Sequence, residues 1–310
     1  MTKVLITGAN GFIGSKLCKS VSGEKYEVVP ATRAQVGSIG QDTDWYQLLQ
    51  GVDQVIHLAA RAHAKHRPKG ERLDWFREVN TAGTLSLAKQ AIEAGVKRFI
   101  FFSTIGVSGD GSSSDGSDVI DEKSKIEPAN DYALSKYEAE CGLISVFESS
   151  ECELLIIRPP LVYGADAPGN FRKLLQLADS PLPLPFAKVD NSRSMLSIEN
   201  LSDFVIRILQ TQESHAGTYV LADDETVSMA EIIEALREGL GRSNNNSAVA
   251  PGLIKTGAQL TGKAAMYQQL CGNLVISNKK AKATFDWQPP LSASEALYLA
   301  ARAYLKRVKN

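Results

Sequence analysis

Tyr132 and Lys136 stand four residues apart in the run Asp131-Tyr132-Ala133-Leu134-Ser135-Lys136. On a helix that spacing puts a phenol and an ammonium on one face. An ammonium beside a phenol stabilises the phenolate and lowers its pKa. The phenol needs about three units of lowering, from about 10, to serve as a base near neutral pH. The same pair also occurs on plain solvated helices, so its weight comes from context. A glycine-rich turn, Gly8-Ala9-Asn10-Gly11-Phe12-Ile13-Gly14, opens the chain, and Ser103-Thr104 closes a strongly apolar run.

These groups need a scaffold, and the pattern around them supplies one. Lys3 to Thr7 reads as a short buried strand, followed by the glycines and an amphipathic helix to about Val21. Tyr26 to Val29 is the next strand, which completes a βαβ unit. Gly8 permits a tight turn, Gly11 lets backbone approach a pyrophosphate, and Gly14 lets the helix pack on the sheet. The helix N-terminus then faces the negative charge. Further strands are expected at Val52 to Leu58, Val96 to Phe102 and Glu153 to Ile157, and helices near Trp45 to Leu49, over Leu73 to Ala94 and from Tyr132 to about Phe147. The Val96 to Phe102 run is expected to be apolar throughout, as a parallel sheet requires. Alternating strands and helices predict an α/β protein with a doubly wound parallel sheet. Ser103-Thr104 falls at the carboxyl edge, where ligands sit in such sheets.

Composition excludes several classes. The 310 residues are 44% hydrophobic and 22% charged, with a formal net charge of -1. That balance gives no global pull toward nucleic acid or an anionic membrane. No apolar run approaches the roughly 18 residues needed to span a bilayer. Lys3, a short strand and glycines do not make a signal peptide. Cys18, Cys141, Cys152 and Cys271 show no Cys-x-x-Cys spacing, which suits a cytoplasmic protein with reduced thiols. His63 and His66 share a basic loop with Lys65 and Arg67, without a carboxylate or cysteine spaced to complete a metal site. His57, at a strand end, reads as structural rather than as a base. Ser108 to Asp118 is a Gly/Ser/Asp-rich loop, either an active-site lid or a plain exposed loop. Further on come a helix over Asn200 to Gln210, a strand over Thr218 to Leu221, a polar linker over Arg242 to Ser247, and capping boxes at Ser228/Glu231 and Ser292/Glu295.

The Gly-x-x-Gly-x-x-Gly turn together with Tyr-x-x-x-Lys resembles the extended short-chain dehydrogenase/reductase family, and within it the nucleotide-sugar epimerases, dehydratases and reductases. The resemblance covers nearly the whole chain. It implies a Rossmann domain over 1–158 plus about 196–224, and a smaller mixed α/β nucleotide-sugar-binding domain over about 159–195 and 225–310. It implies Tyr132 as acid/base at sugar C4 and Lys136 on the nicotinamide ribose. Aligned on Val107, it puts Thr104 on the sugar C4 oxygen. Cofactor contacts are implied at Gly8, Asn10, Gly11, Phe12, Ile13, Gly14, Leu58, Ala59, Ala60, Asn80, Ser103 and Pro159. Val36-Gly37-Ser38-Ile39 resembles the adenine-contacting turn, with Ser38 in place of the usual acid. Asn80-Thr81-Ala82-Gly83-Thr84 resembles an Asn-x-x-Gly-Thr helix motif, whose asparagine supports the site. Arg158-Pro159-Pro160-Leu161-Val162-Tyr163-Gly164 resembles Arg-x-x-Asn-Val-Tyr-Gly, with Leu161 replacing the asparagine. Asn170 and Arg193 match phosphate contacts, and Phe186 a surface along the uracil. A second diphosphate arginine is not visible, and Lys263 stands as a substitute. Thr104-Ile105-Gly106 lacks the carboxylates of a Thr-Asp-Glu dehydratase, so 4,6-dehydration is disfavoured. The helices near 73–94 and 132–149 resemble those of a homodimer bundle.

Arg33 bears on the cofactor. The second strand ends Pro30-Ala31-Thr32-Arg33, with no carboxylate to hold the ribose 2′-hydroxyl of NAD. An arginine there pairs with the 2′-phosphate of NADP, although it can also stack on adenine and serve NAD. NADP(H) is therefore favoured, with NAD open. This tilts the expectation toward NADPH-dependent 4-keto reduction of a UDP-(N-acetyl)hexose derivative in surface-polysaccharide synthesis. The alternative is a UDP-hexose or UDP-N-acetylhexosamine 4-epimerase with bound NAD. A third option is a dinucleotide-binding regulator without catalysis.

Overall fold

Six parallel strands make one sheet: β1 (Thr2–Thr7), β2 (Tyr26–Ala31), β3 (Gln54–His57), β4 (Arg98–Phe102), β5 (Glu153–Arg158) and β6 (Gly217–Val220). Their order is β2-β1-β3-β4-β5-β6. The chain starts at β1, steps outward to β2, then crosses back to β3. That reversal leaves a crevice at the carboxyl ends of β1 and β3. The computed structural model describes residues 1–62, 68–109, 119–262 and 264–309. His63, His66, Lys65 and Arg67, residues 110–118 of the expected lid loop, and Lys263 lie outside the described residues.

β4 and β5 are buried along their whole length, as strands covered on both faces must be. β2 lies at the edge and runs through Pro30 to Ala31, two residues further than expected. An edge strand tolerates a residue with no N–H to give. The expectation of a wholly apolar Val96 to Phe102 is corrected: the strand opens on Arg98. Its guanidinium faces Glu153 across the sheet and pairs with that carboxylate. It also donates to the carbonyls of Ile208 (2.6 Å), Thr211 (3.0 Å) and Glu213 (3.1 Å). A buried guanidinium is tolerable only with such complete pairing.

The helices used below are α1 (Phe12–Val21), α2 (Arg72–Arg77), α3 (Thr84–Glu93), α4 (Asp131–Phe147), α5 (Asn170–Asp179), α6 (Ile198–Gln210), α7 (Met229–Gly239) and α8 (Ala293–Lys309). One face of the sheet packs on α1 and α6 through Leu17, Val21, Leu201, Phe204 and Ile208. The other packs on α3 and α4 through Leu87, Ala91, Ala139, Leu143 and Phe147. The helical period over 73–94 is not one helix. A π turn, Glu78–Gly83, joins α2 to α3. Such turns insert a residue and favour functional sites, and here the turn carries the buried Asn80.

A third apolar cluster lies in the C-terminal part, where α5, α7 and α8 meet through Leu174, Leu175, Ile232, Leu236, Leu297 and Ala301. Asp223, buried, ties this part to the sheet. It accepts from the Tyr163 hydroxyl (2.8 Å), the Ser197 N–H (3.0 Å) and the Asn200 amide (2.7 Å). Ala281, Phe285 and Trp287, from the stretch expected in the C-terminal unit, pack instead in the sheet cluster. The stretch Arg242 to Ser247 is more than a linker: Leu184 N donates to Asn245 O (3.0 Å) and Ser247 N to Leu184 O (2.6 Å). Ser228 and Ser292 cap their helices with Glu231 and Glu295. Among the described residues no helix is long and apolar enough to cross a membrane, and the four cysteines are free thiols.

Candidate active site

The crevice between β1 and β3 holds about 870 Å³. Its floor is the glycine turn. Gly8 adopts φ +67°, a left-handed conformation that favours glycine, and its carbonyl accepts the Gly11 N–H at 2.8 Å. A Cβ on Gly14 would lie 2.2 Å from that same carbonyl oxygen, so α1 can pack here only without a side chain. Leu58, Ala59 and Ala60 form the wall after β3, and small residues keep it open. The far end is the Ser38–Ile39 turn, reached after a short helix, Arg33–Val36, that follows β2. Gly8, Asn10, Gly11 and Arg33 thus meet Ser38, Ile39 and the Leu58–Ala60 wall in one crevice. Phe12, Ile13 and Gly14 do not line it; they sit behind it in the first turn of α1. Among the described lining residues there is no carboxylate. The turn, the close packing and the lining charge fit a dinucleotide.

His57, the last residue of β3, is wholly buried just before the Leu58–Ala60 wall. Thr7 Oγ1 accepts from the N–H groups of Leu58 and Ala59, both at 3.1 Å. Its own proton therefore points at His57 Nδ1, 2.7 Å away. Nδ1 accepts, so the ring proton sits on Nε2 and is donated to Thr84 Oγ1 at 2.9 Å. Burial pulls the imidazole down to about 3, with the Lys136 charge adding to it. A neutral ring with both nitrogens engaged braces the wall and is no base.

Asn130 caps α4 through its side-chain oxygen, which accepts the Ala133 N–H at 3.0 Å. Tyr132, Lys136 and Glu140 then follow at intervals of four on one stripe. The half-buried Tyr132 ring meets Phe76 of α2 edge-on, with centroids 5.9 Å apart. Lys136 is 1% exposed, its ammonium 3.9 Å from the centroid of the Phe101 ring on β4. Glu140 is clamped by Arg158 at 3.0 and 2.5 Å. The expected lowering of the phenol by the lysine is corrected for the free protein. Burial pushes Tyr132 up to about 12. Burial also pulls Lys136 down to about 7, against the opposing pull of Glu140. Desolvation disfavours both ions at once.

Beyond β4 the chain runs on beside β5: Ser103 N donates to Ile157 O (2.7 Å) and Ile105 N to Pro159 O (2.9 Å). Thr104 Oγ1 accepts the Gly106 N–H at 3.2 Å. Gly106 O in turn accepts from Ala129 N at 3.0 Å, just before α4. The Thr104 loop is thereby stitched to the start of the helix that carries Tyr132. Ser103 Oγ is buried with no hydrogen-bond partner among the described residues.

Asn80 does not line the crevice, and its side chain is bonded within the protein. Its oxygen accepts the Arg61 N–H (2.8 Å), and its amide nitrogen donates to Arg61 O (3.0 Å) and Ser135 Oγ (3.0 Å). Ser135 Oγ donates onward to Tyr132 O at 2.7 Å. Asn170 is the first residue of α5, after Gly169 at φ +70°. Phe186 packs against the C-terminal cluster. Arg193 is buried and donates to Gly272 O at 3.0 Å. None of these three lines the crevice. Sequence reasoning passed over Arg61 and Trp75, which do line it. Arg61 directly follows the small-residue wall, which was a usable signal; Trp75 sits in a helical period and looks like core.

Glycine turn, crevice and helical stripe define a dinucleotide-dependent α/β protein of the extended short-chain dehydrogenase/reductase type. The chain belongs to the NAD dependent epimerase/dehydratase family, whose sequence model matches residues 4–222. It is 36% identical over 319 residues to a UDP-glucose 4-epimerase of Vibrio cholerae, covering 98% of this chain and 95% of that protein. Two solved structures share the fold over the full length of both chains or nearly so. The UDP-glucuronic acid 4-epimerase from Bacillus cereus in complex with NAD has a TM-score of 0.75 at 23% identity, covering 100% of each chain. RMD from Pseudomonas aeruginosa complexed with NADPH has a TM-score of 0.74 at 20% identity, covering 99% of this chain and 100% of that one.

Proposed function

We propose that this protein is an NAD(P)-dependent nucleotide-sugar oxidoreductase acting at sugar C4, and that it interconverts C4 epimers of a UDP-hexose or UDP-N-acetylhexosamine. The observation that carries this is the Tyr132–Lys136 stripe, tied through the Thr104 loop to the carboxyl edge beside the glycine crevice. Similarity to a 4-epimerase over 98% of the chain supports epimerisation ahead of the 4-keto reduction drawn from Arg33. The C-terminal part, with Asn170, Phe186 and Arg193, is assigned to the UDP moiety.

The dinucleotide, when bound, supplies the hydride acceptor and donor. Tyr132 takes the proton of the C4 hydroxyl and gives it back to the C4 oxygen on the other face. Thr104 holds that oxygen. Tyr132 starts protonated, so it must be deprotonated to act as base. A charged Lys136 alongside favours the phenolate.

The test is incubation with UDP-glucose or UDP-N-acetylglucosamine, followed by NMR at C4. Interconversion without net cofactor oxidation supports the proposal. Stoichiometric oxidation of added NADPH by a UDP-4-keto-sugar, with no interconversion, makes it a reductase. One observation favours that second outcome: Arg33 and Thr32 line a crevice without a described carboxylate, which tolerates a 2′-phosphate. Dissociation constants for NADPH and NADH, in wild type and Arg33→Ala, measure that preference.

A further inference from the structure

We propose that Arg61 is the cation for the cofactor's diphosphate, held in place by Trp75 and Asn80 and restrained by Glu78. This rests on the crevice being a dinucleotide site. A dinucleotide reaching from the Ser38–Ile39 turn toward Tyr132 would lay its diphosphate over Gly8–Gly11. That turn offers N–H groups but no cation. The first turn of α1 carries no basic residue, and Lys16 lies 3.4 Å from Glu199 of α6. Among the described lining residues the cations are Arg33 and Arg61. Arg33 follows β2, on the adenosine side.

Two independent observations put Arg61 in the middle. It stands two residues after Ala59, whose N–H nitrogen is 3.0 Å from where a Gly8 Cβ would be. It also stacks on Trp75 of α2. The adjacent Phe76 touches the Tyr132 ring. At the far end of the π turn, a Cβ on Gly83 would lie 2.5 Å from Ile39 Cγ2. Trp75 and Arg61 therefore flank the path between the two ends of the cofactor.

The geometry is prepared in advance. Both main-chain polar groups of Arg61 are bonded to the buried Asn80 amide, at 2.8 and 3.0 Å. The guanidinium carbon lies 4.6 Å from the Trp75 ring centroid. Nη1 donates to Trp75 O at 2.7 Å and to Glu78 Oε2 at 2.6 Å. Both bonds leave from one nitrogen, and the opposite edge of the fork can meet two phosphate oxygens. The Glu78 side chain is 58% exposed, so its pair with Arg61 is weak and a diphosphate competes with it directly.

The test is calorimetric titration of wild type, Arg61→Gln and Glu78→Gln with ADP, adenosine and NAD, with melting curves as the folding control. Arg61→Gln should lose roughly 10- to 100-fold in affinity for ADP and NAD and nothing for adenosine. Glu78→Gln should bind ADP a few-fold more tightly. Unchanged ADP affinity in Arg61→Gln, or an equal loss for adenosine, overturns the inference. Should Arg61→Gln fail to fold, Glu78→Gln decides: ADP binding no tighter than wild type overturns it. Wild type that binds none of the three ligands overturns the dinucleotide site itself.

Discussion

The two edges of the sheet treat buried charge in opposite ways. At the amino edge, Arg98 is met by Glu153 and three carbonyls, and Glu153 also accepts the His215 N–H. At the carboxyl edge, Lys136 is just as buried, yet no ion pair reaches it among the described residues, and its ammonium rests on the Phe101 ring. One ion is fully answered and joins β4, β5 and the end of α6. The other is left short of partners, and its pKa falls to about 7. A paired ion holds structure, while an ion short of partners can change its charge when a ligand arrives. Perturbed groups of the second kind gather at functional sites.

The sharpest break at the carboxyl edge is Tyr132→Phe. Steady-state turnover should fall roughly 10²- to 10⁴-fold, while calorimetry shows dinucleotide affinity within a few-fold of wild type. Turnover close to wild type would remove Tyr132 from the chemistry. At the amino edge, Arg98→Met strands Glu153, and urea unfolding should show a loss of about 3–5 kcal/mol. Turnover per folded molecule should hold.

Lys136→Met tests the contrast inside one substitution. The lysine's folded pKa, about 7, lies below its ordinary 10.5. Between those values the unfolded chain binds the extra proton, so wild-type stability from this group rises with pH. The variant should therefore gain most over wild type at pH 6–7, by a few kcal/mol, and least near pH 10, with turnover abolished. A variant equally stabilised at both pH values would deny the desolvated ammonium.

His57 behaves alike at lower pH. Its folded pKa of about 3 lies below the usual 6.5, so stability is full above 6.5 and is lost as pH falls toward 3. His57→Asn should lower stability at pH 7 but flatten that acid slope, as melting curves across pH 3–7 would show. The smallest expected effect is Arg193→Ala, costing about 1.5–3 kcal/mol in UDP binding and less for uridine. Equal losses would make the role of Arg193 structural.

Glycine turns and stripes were legible because they are local. Gly8, Gly11 and Gly14 obey backbone sterics that any chain shares, and Tyr132 and Lys136 share a face by helical period alone. Strand alternation with helices likewise specifies a parallel sheet, and the capping boxes at Ser228 and Ser292 mark helix starts within four residues. The errors came where one segment's meaning depends on another. Lys97 and Arg98 stand in plain view within Val96–Phe102, but that Arg98 is buried against Glu153 shows only in the sheet. Leu73–Ala94 looked like one helix because the inserted π residue shows only when Asn80 finds Arg61 and Ser135.

Protonation was the least legible property of all. Adjacency in sequence says that a lysine can lower a tyrosine's pKa; only packing says how much water both have lost. Here β4, Phe76 and Phe101 remove enough to push Tyr132 up to about 12 and Lys136 down to about 7. Spacing along the chain therefore chose the chemical partners. Burial, which sums over every element packed around them, decided their charge, because desolvation depends on neighbours distant in sequence and not on the residues between.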